Sequence, residues 1–108
     1  MSREIIIKKE FPKMVEETAL FILENSPQNA KQFIEGINPK LDEIVKNPLI
    51  YPKDPNFNSK TGLYRFSLYM RNWKILFKVM QNLIVFLGIV HTSRHPKEIK
   101  KLRTTKYK

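Results

Sequence analysis
The alternation of apolar and polar positions divides this chain into one strand, two helices and a closing set of three strands. β-Branched Ile5, Ile6 and Ile7 follow Glu4 and predict a short strand over Glu4–Ile7. Apolar side chains then recur at helical spacing at Phe11, Met14, Val15, Ala19 and Ile22, with Thr18 on the same stripe. Pro12 suits a first helical turn, where its missing N–H costs nothing. This helix is expected to end near Asn25. Ser26-Pro27 is a restart signal: the serine caps orphan amides and the proline opens the next helix. Beyond it, Ala30, Phe33, Ile34, Ile37, Leu41, Ile44 and Val45 fall on one helical stripe. Pro39 interrupts that run, so a kink or break is expected there. The two helices make a hairpin.

Asn47–Gly62 holds Pro48, Pro52, Pro55 and several asparagines, and reads as a loop. Loops of this length are commonly functional or ordered by a partner. Strands are predicted over Leu63–Tyr69, Trp73–Met80 and Leu83–His91, joined by the short turns Met70–Asn72 and Gln81-Asn82. In the middle strand Trp73, Ile75, Phe77 and Val79 alternate with Lys74, Leu76, Lys78 and Met80. One of its faces is therefore apolar and the other carries lysines. In the strand before it, Tyr64, Phe66 and Leu68 oppose Arg65, Ser67 and Tyr69. The helices are expected to cover one sheet face, leaving Arg65, Lys74 and Lys78 on the other. The last strand is apolar almost throughout, which places it centrally. The fold class is α+β: an N-terminal strand, a helical hairpin, then an antiparallel three-strand meander.

A chain of 108 residues suits one domain over 1–108, with a basic tail from roughly 96 to 108. Charge narrows the function further. Twenty Lys and Arg against ten Asp and Glu give +10 and a pI near 10.0. So basic a small domain attracts polyanions, which points to nucleic acid, the ribosome, an acidic protein or an anionic membrane. From His91 onward there are seven bases and one acid. That tail is expected either as a short helix around Glu98–Leu102 or as a segment that orders on binding. No cysteine is present, which excludes a disulfide scaffold, a thiolate metal site and a thiol nucleophile. The apolar runs Ile5–Ile7 and Leu83–Val90 are too short for a leader or a membrane span, so a cytoplasmic protein without membrane contact is expected.

Chemistry-bearing patterns are few. The three glycines, Gly36, Gly62 and Gly88, are isolated and make no phosphate loop. His91 and His95 have no carboxylate pair beside them, so neither a metal nor a cofactor is expected. What remains is a basic constellation: Arg65, Lys74, Lys78, His91 and Arg94. Such cations can hold a phosphodiester and stabilise charge that builds on it during cleavage. RNA supplies its own nucleophile, the 2′-hydroxyl, so a nuclease needs only positioning, a proton carrier and cationic stabilisation. Histidine is the natural proton carrier near neutral pH. Structural readings stand beside these: His91 closing a strand end, Lys74 and Lys78 on a solvated face, and Arg94 paired with a helix carboxylate.

The order of these pieces resembles the RelE/ParE superfamily of toxins from type II toxin–antitoxin systems, which includes plasmid stabilisation proteins. Lys46-Asn47-Pro48-Leu49-Ile50-Tyr51-Pro52 is similar to that family's helix end and loop start. Gly62-Leu63-Tyr64-Arg65-Phe66 and Trp73-Lys74-Ile75-Leu76-Phe77-Lys78-Val79 resemble its first two meander strands. Ile89-Val90-His91-Thr92-Ser93-Arg94-His95-Pro96 resembles the strand-end motif of the ParE-like branch. The resemblance implies a toxin neutralised by an acidic cognate antitoxin. It offers two targets. RelE-like members cut mRNA on the ribosome, which is the leading expectation here; ParE-like members poison DNA gyrase without nuclease activity. An inactive nucleic-acid-binding relative is a further alternative. For a ribonuclease, the resemblance places Arg65, Lys74 and Arg94 in the catalytic set, with His91 as a substitute proton carrier; Lys78 on the strand face and Lys97, Lys100 and Lys101 in the basic tail are expected, from their charge, to bind nucleic acid or the antitoxin. Ser67 stands where such nucleases carry a second lysine. Lys74 stands for an arginine and lacks its bidentate grip on phosphate.

Overall fold
The computed structural model describes residues 3–54 and 64–93. Arg94, Lys97, Lys100, Lys101, the expected tail helix and the second half of the expected loop lie outside these residues. The elements are β1 (Glu4–Ile7), α1 (Glu10–Leu23), α2 (Pro27–Lys46), a 3-10 turn at Pro48–Ile50, β2 (Tyr64–Tyr69), β3 (Trp73–Val79) and β4 (Leu83–His91). The α+β arrangement read from the sequence is the one found.

The four strands form one sheet in the order β1-β4-β3-β2. β1 runs parallel to β4, while β2, β3 and β4 are antiparallel neighbours. β4 therefore has strands on both edges. It is also buried on both faces, from Ile84 to Val90, which explains its unbroken apolar sequence. The pairing jumps from Leu76 opposite Gly88 to Phe77 opposite Phe86, so Leu87 is an extra residue and forms a bulge. The bulge switches the alternation of β4. Ile84 and Phe86 join the helix-covered core before it, and Ile89 joins that core after it. Val85, Leu87 and Val90 belong with Leu76 in a second cluster.

The helix-covered core joins Phe11 and Ala19 of α1, Phe33, Ile37, Leu41 and Ile44 of α2, and Trp73, Ile75, Phe77 and Val79 of β3. Ser26 caps α2 as its sequence predicts, its Oγ accepting from the Asn29 N–H at 3.2 Å. Pro39 does not break the helix. α2 runs unbroken through it for 20 residues. Pro39 and Glu35, whose carbonyl loses its bond, both lie on the exposed side. Water can satisfy that carbonyl there, and the buried face outweighs a cost of about 3 kcal/mol. Ile34 departs from the expected stripe and is half exposed. Gly36 lets β2 dock on α2, because a Cβ there would meet the Tyr69 hydroxyl. That hydroxyl donates to the Phe33 carbonyl at 2.8 Å.

One expected face assignment is overturned. Arg65 does not share a face with Lys74 and Lys78. The turn at Met70–Asn72 sets Tyr69 opposite Trp73, Ser67 opposite Ile75 and Arg65 opposite Phe77. Cross-strand partners share a face, so Arg65 lies on the helix side. Tyr64, Phe66 and Leu68 sit with Lys78, Leu76 and Lys74 on the other. Met70 and Arg71 in that turn have φ of 50° and 68°. Side chains resist this conformation, but it matches the twist of a hairpin.

Lys8, just after β1, is fully buried. Its N–H donates to the Phe86 carbonyl at 3.1 Å, which fixes it beside β4. Burial lowers its pKa below 10.5, and neighbouring Glu10 opposes that shift. The folded state therefore binds fewer protons than the unfolded state between the lowered value and 10.5, and stability rises with pH across that window. The native chain should gain stability relative to Lys8→Met as pH approaches 10.5. Denaturant melts of both proteins at a series of pH values measure this, and a difference that stays flat with pH would mean that Lys8 is solvated.

Candidate functional site
Lys74 projects from β3 onto the face away from the helices. Its Nζ lies 3.7 Å from Asp54 Oδ2, with the lysine side chain 15% exposed and the aspartate 0%. The same ammonium stands 4.5 Å from the centre of the Phe66 ring. Asp54 is set in place by a strip of backbone. Its N–H donates to the Tyr64 carbonyl at 3.0 Å, and the Phe66 N–H donates to the Pro52 carbonyl at 3.1 Å. Residues 52–54 thereby cover the outer edge of β2.

Arg65 serves the same segment from the other face. Its Nη1 donates to the Tyr51 carbonyl at 2.6 Å and to the Leu49 carbonyl at 3.4 Å. These carbonyls follow the end of α2, where a cation is favourable. Arg65 Nε is buried without a hydrogen-bond partner. Tyr51 packs edge-on against Phe77 and donates its hydroxyl to Glu43 at 3.5 Å. Burial, and then the Glu43 charge, push the Tyr51 pKa up.

His91 closes β4 beside Trp73, with ring centres 5.1 Å apart and the planes nearly perpendicular. Its Nδ1 accepts from the Ser93 N–H at 3.1 Å and lies 2.7 Å from Ser93 Oγ. That contact places the proton of a neutral ring on Nε2. Lys78 lies on the Lys74 face, 5.6 Å from the centre of the Tyr64 ring. The described candidates thus divide between the two faces. Lys74 and Lys78 occupy one; Arg65 and His91 occupy the other, on strands separated by β3.

Concave surfaces among the described residues include a groove on the helices and a cavity at His91. An apolar groove of about 480 Å³ runs between α1 and α2, walled by Val15, Ala19, Leu20, Leu23, Ala30 and Ile34. Leu20, Leu23 and Ile34 are each about half exposed. A smaller cavity of about 200 Å³ sits where the helical turn, the β2–β3 turn and the end of β4 meet. Among the described residues no group of three His, Cys, Asp or Glu could hold a metal. No helix among them is long and apolar enough to cross a membrane.

Residues 5–96 match the family model for the ParE toxin of the type II toxin–antitoxin system parDE. The chain belongs to the ParE toxin family. No curated protein matches it. The toxin therefore has an antitoxin as its partner, and the apolar groove is the kind of surface that partners cover.

Asp54 was not legible as part of this toxin's charged set, although the sequence carries one signal for it. It is the only acid between Glu43 and Glu98, in a stretch dense with Lys and Arg. Its burial gives Lys74 a structural duty. Lys74→Met would remove the ammonium beside a buried carboxylate, at a cost of about 3 kcal/mol, while Lys74→Met with Asp54→Leu should recover part of that loss. Urea denaturation of the two variants is the check. Unchanged stability in Lys74→Met would mean that the lysine is free for another task.

Proposed function
We propose that the toxin arrests growth by binding and poisoning DNA gyrase, not by cutting mRNA. The observation that carries this reading is the separation of Arg65, Lys74 and His91, the described members of the candidate catalytic set. Cleavage of a phosphodiester needs cations and a proton carrier converging on one group. Arg65 is spent on two loop carbonyls. Lys74 is paired with a buried carboxylate on the opposite face. His91 turns Nδ1 to Ser93. The strand-end sequence His91–Pro96 resembles the ParE-like branch, for which gyrase is the implied target. In this reading the excess of positive charge steers the toxin to its target and sets the on-rate.

The antitoxin is assigned here to the α1–α2 groove. The two helices and their turn, from Glu10 to Lys46, hold seven of the ten acids and only four of the twenty bases. An antitoxin segment seated there would use apolar side chains, and its acidic part would extend to the basic remainder of the toxin.

Purified toxin in gyrase supercoiling and cell-free translation assays tests both parts. Supercoiling should fall while mRNA stays intact. Added antitoxin should restore supercoiling, and Leu20→Asp with Leu23→Asp should weaken that rescue at least tenfold. Cut mRNA with normal supercoiling would overturn the reading. Undiminished rescue of the Leu20 and Leu23 variant would remove the antitoxin from the groove.

A further inference from the structure
A cavity lies beside His91. Three separate parts of the chain meet there: the α1–α2 turn, the β2–β3 turn and the end of β4. Its lining residues include Asn25, Asn29, Asn72 and His91, together with the aromatic Phe21 and Trp73. Among the described residues its lining carries no carboxylate, Lys or Arg. A neutral, planar and polar group would find donors and acceptors together with an aromatic surface.

We propose that this cavity receives one unstacked base of a single-stranded nucleic acid. A volume of about 200 Å³ suits a single heterocycle. Carboxamides present both a donor and an acceptor, the complement of a base edge. Phe21 is 56% exposed and packs edge-on to Trp73, with ring centres 6.1 Å apart. That leaves ring surface open for stacking, the usual way in which single strands are held. His91 adds an imidazole whose Nδ1 is engaged by the Ser93 N–H at 3.1 Å. The strand's phosphates would lie outside the cavity. There, exposed Arg71 in the adjoining turn and the net charge of +10 attract them. The β2–β3 turn holds Asn72 at the rim: its carbonyl accepts from the Thr92 N–H at 2.9 Å, which ties the turn to the end of β4. This inference does not rest on gyrase being the target.

The cavity reports on its own occupancy, because Trp73 is the one tryptophan of the chain. Deoxyribo- and ribo-oligonucleotides of about eight nucleotides, a length in the range that single-strand binders cover, would be titrated against the full chain. Abasic strands of equal length serve as the control. Strands with bases should bind at least tenfold tighter than abasic ones and shift the Trp73 emission. Asn25→Ala with Asn72→Ala should abolish that tenfold advantage and leave abasic binding unchanged, which also verifies folding. Tighter binding of the ribo-strand would identify RNA as the source of the base, and tighter binding of the deoxy-strand would identify DNA. Equal affinity for abasic strands, or binding with unchanged Trp73 emission, would overturn the proposal and leave a basic surface that holds the backbone alone.

Discussion
Strand β4 is the constraint around which the molecule is arranged. It is paired on both edges and buried on both faces, so its backbone and side chains have little freedom. A parallel β1 on one side requires a crossover, which the helical hairpin and two further strands supply. The extra residue at Leu87 then decides which side chains face the helices. Without the bulge, the alternation of Ile84 and Phe86 would continue to Gly88 and Val90. With it, Ile89 enters the helix-covered core, and His91 arrives opposite Trp73. A one-residue slip in a buried strand exchanges every side chain between faces. The location of His91 is therefore a consequence of core packing.

The cations show a division of labour. Some are structural parts of the fold. Arg65 fastens the chain after α2 to β2, and Lys74 balances a carboxylate that the covering strip 52–54 brings into the interior. Lys8 is buried beside β4. The other bases are concentrated in sequence outside the helical hairpin, which holds seven acids and four bases. The toxin thus presents a less basic, partly apolar helical side and a strongly basic remainder. An antitoxin and a target can engage these two sides by different physical means, apolar burial on one and charge on the other.

Much of this fold is written in local patterns. The period-two strands, the helical stripes and the Ser26-Pro27 restart all depend on neighbours in sequence, and each lies where its residues place it. The features that were not legible depend on pairing between distant segments. The alternation in β2 defines two sets of residues but not which set faces the helices. The apolar set Tyr64, Phe66 and Leu68 looked like core, yet the turn before Trp73 assigns the helix side to Arg65, Ser67 and Tyr69. The opposite face was not an open polar surface either, since Leu76, Val85, Leu87 and Val90 are buried on it. Asp54 could not be matched to Lys74 from spacing, because they meet only when residues 52–54 fold along β2. Pro39 signals a local cost, and only the packing of α2 reveals that the helix absorbs it. For the site, the sequence offered residue types suited to phosphodiester chemistry, but their convergence is a tertiary property.

The central claim is that the toxin poisons gyrase by binding and leaves mRNA intact. Pulse labelling of DNA and protein synthesis in bacteria, in the first minutes after induced expression, tests it most directly. The account predicts that DNA synthesis falls first while protein synthesis continues. An immediate fall in protein synthesis, with DNA synthesis spared and transcripts cut, would contradict it.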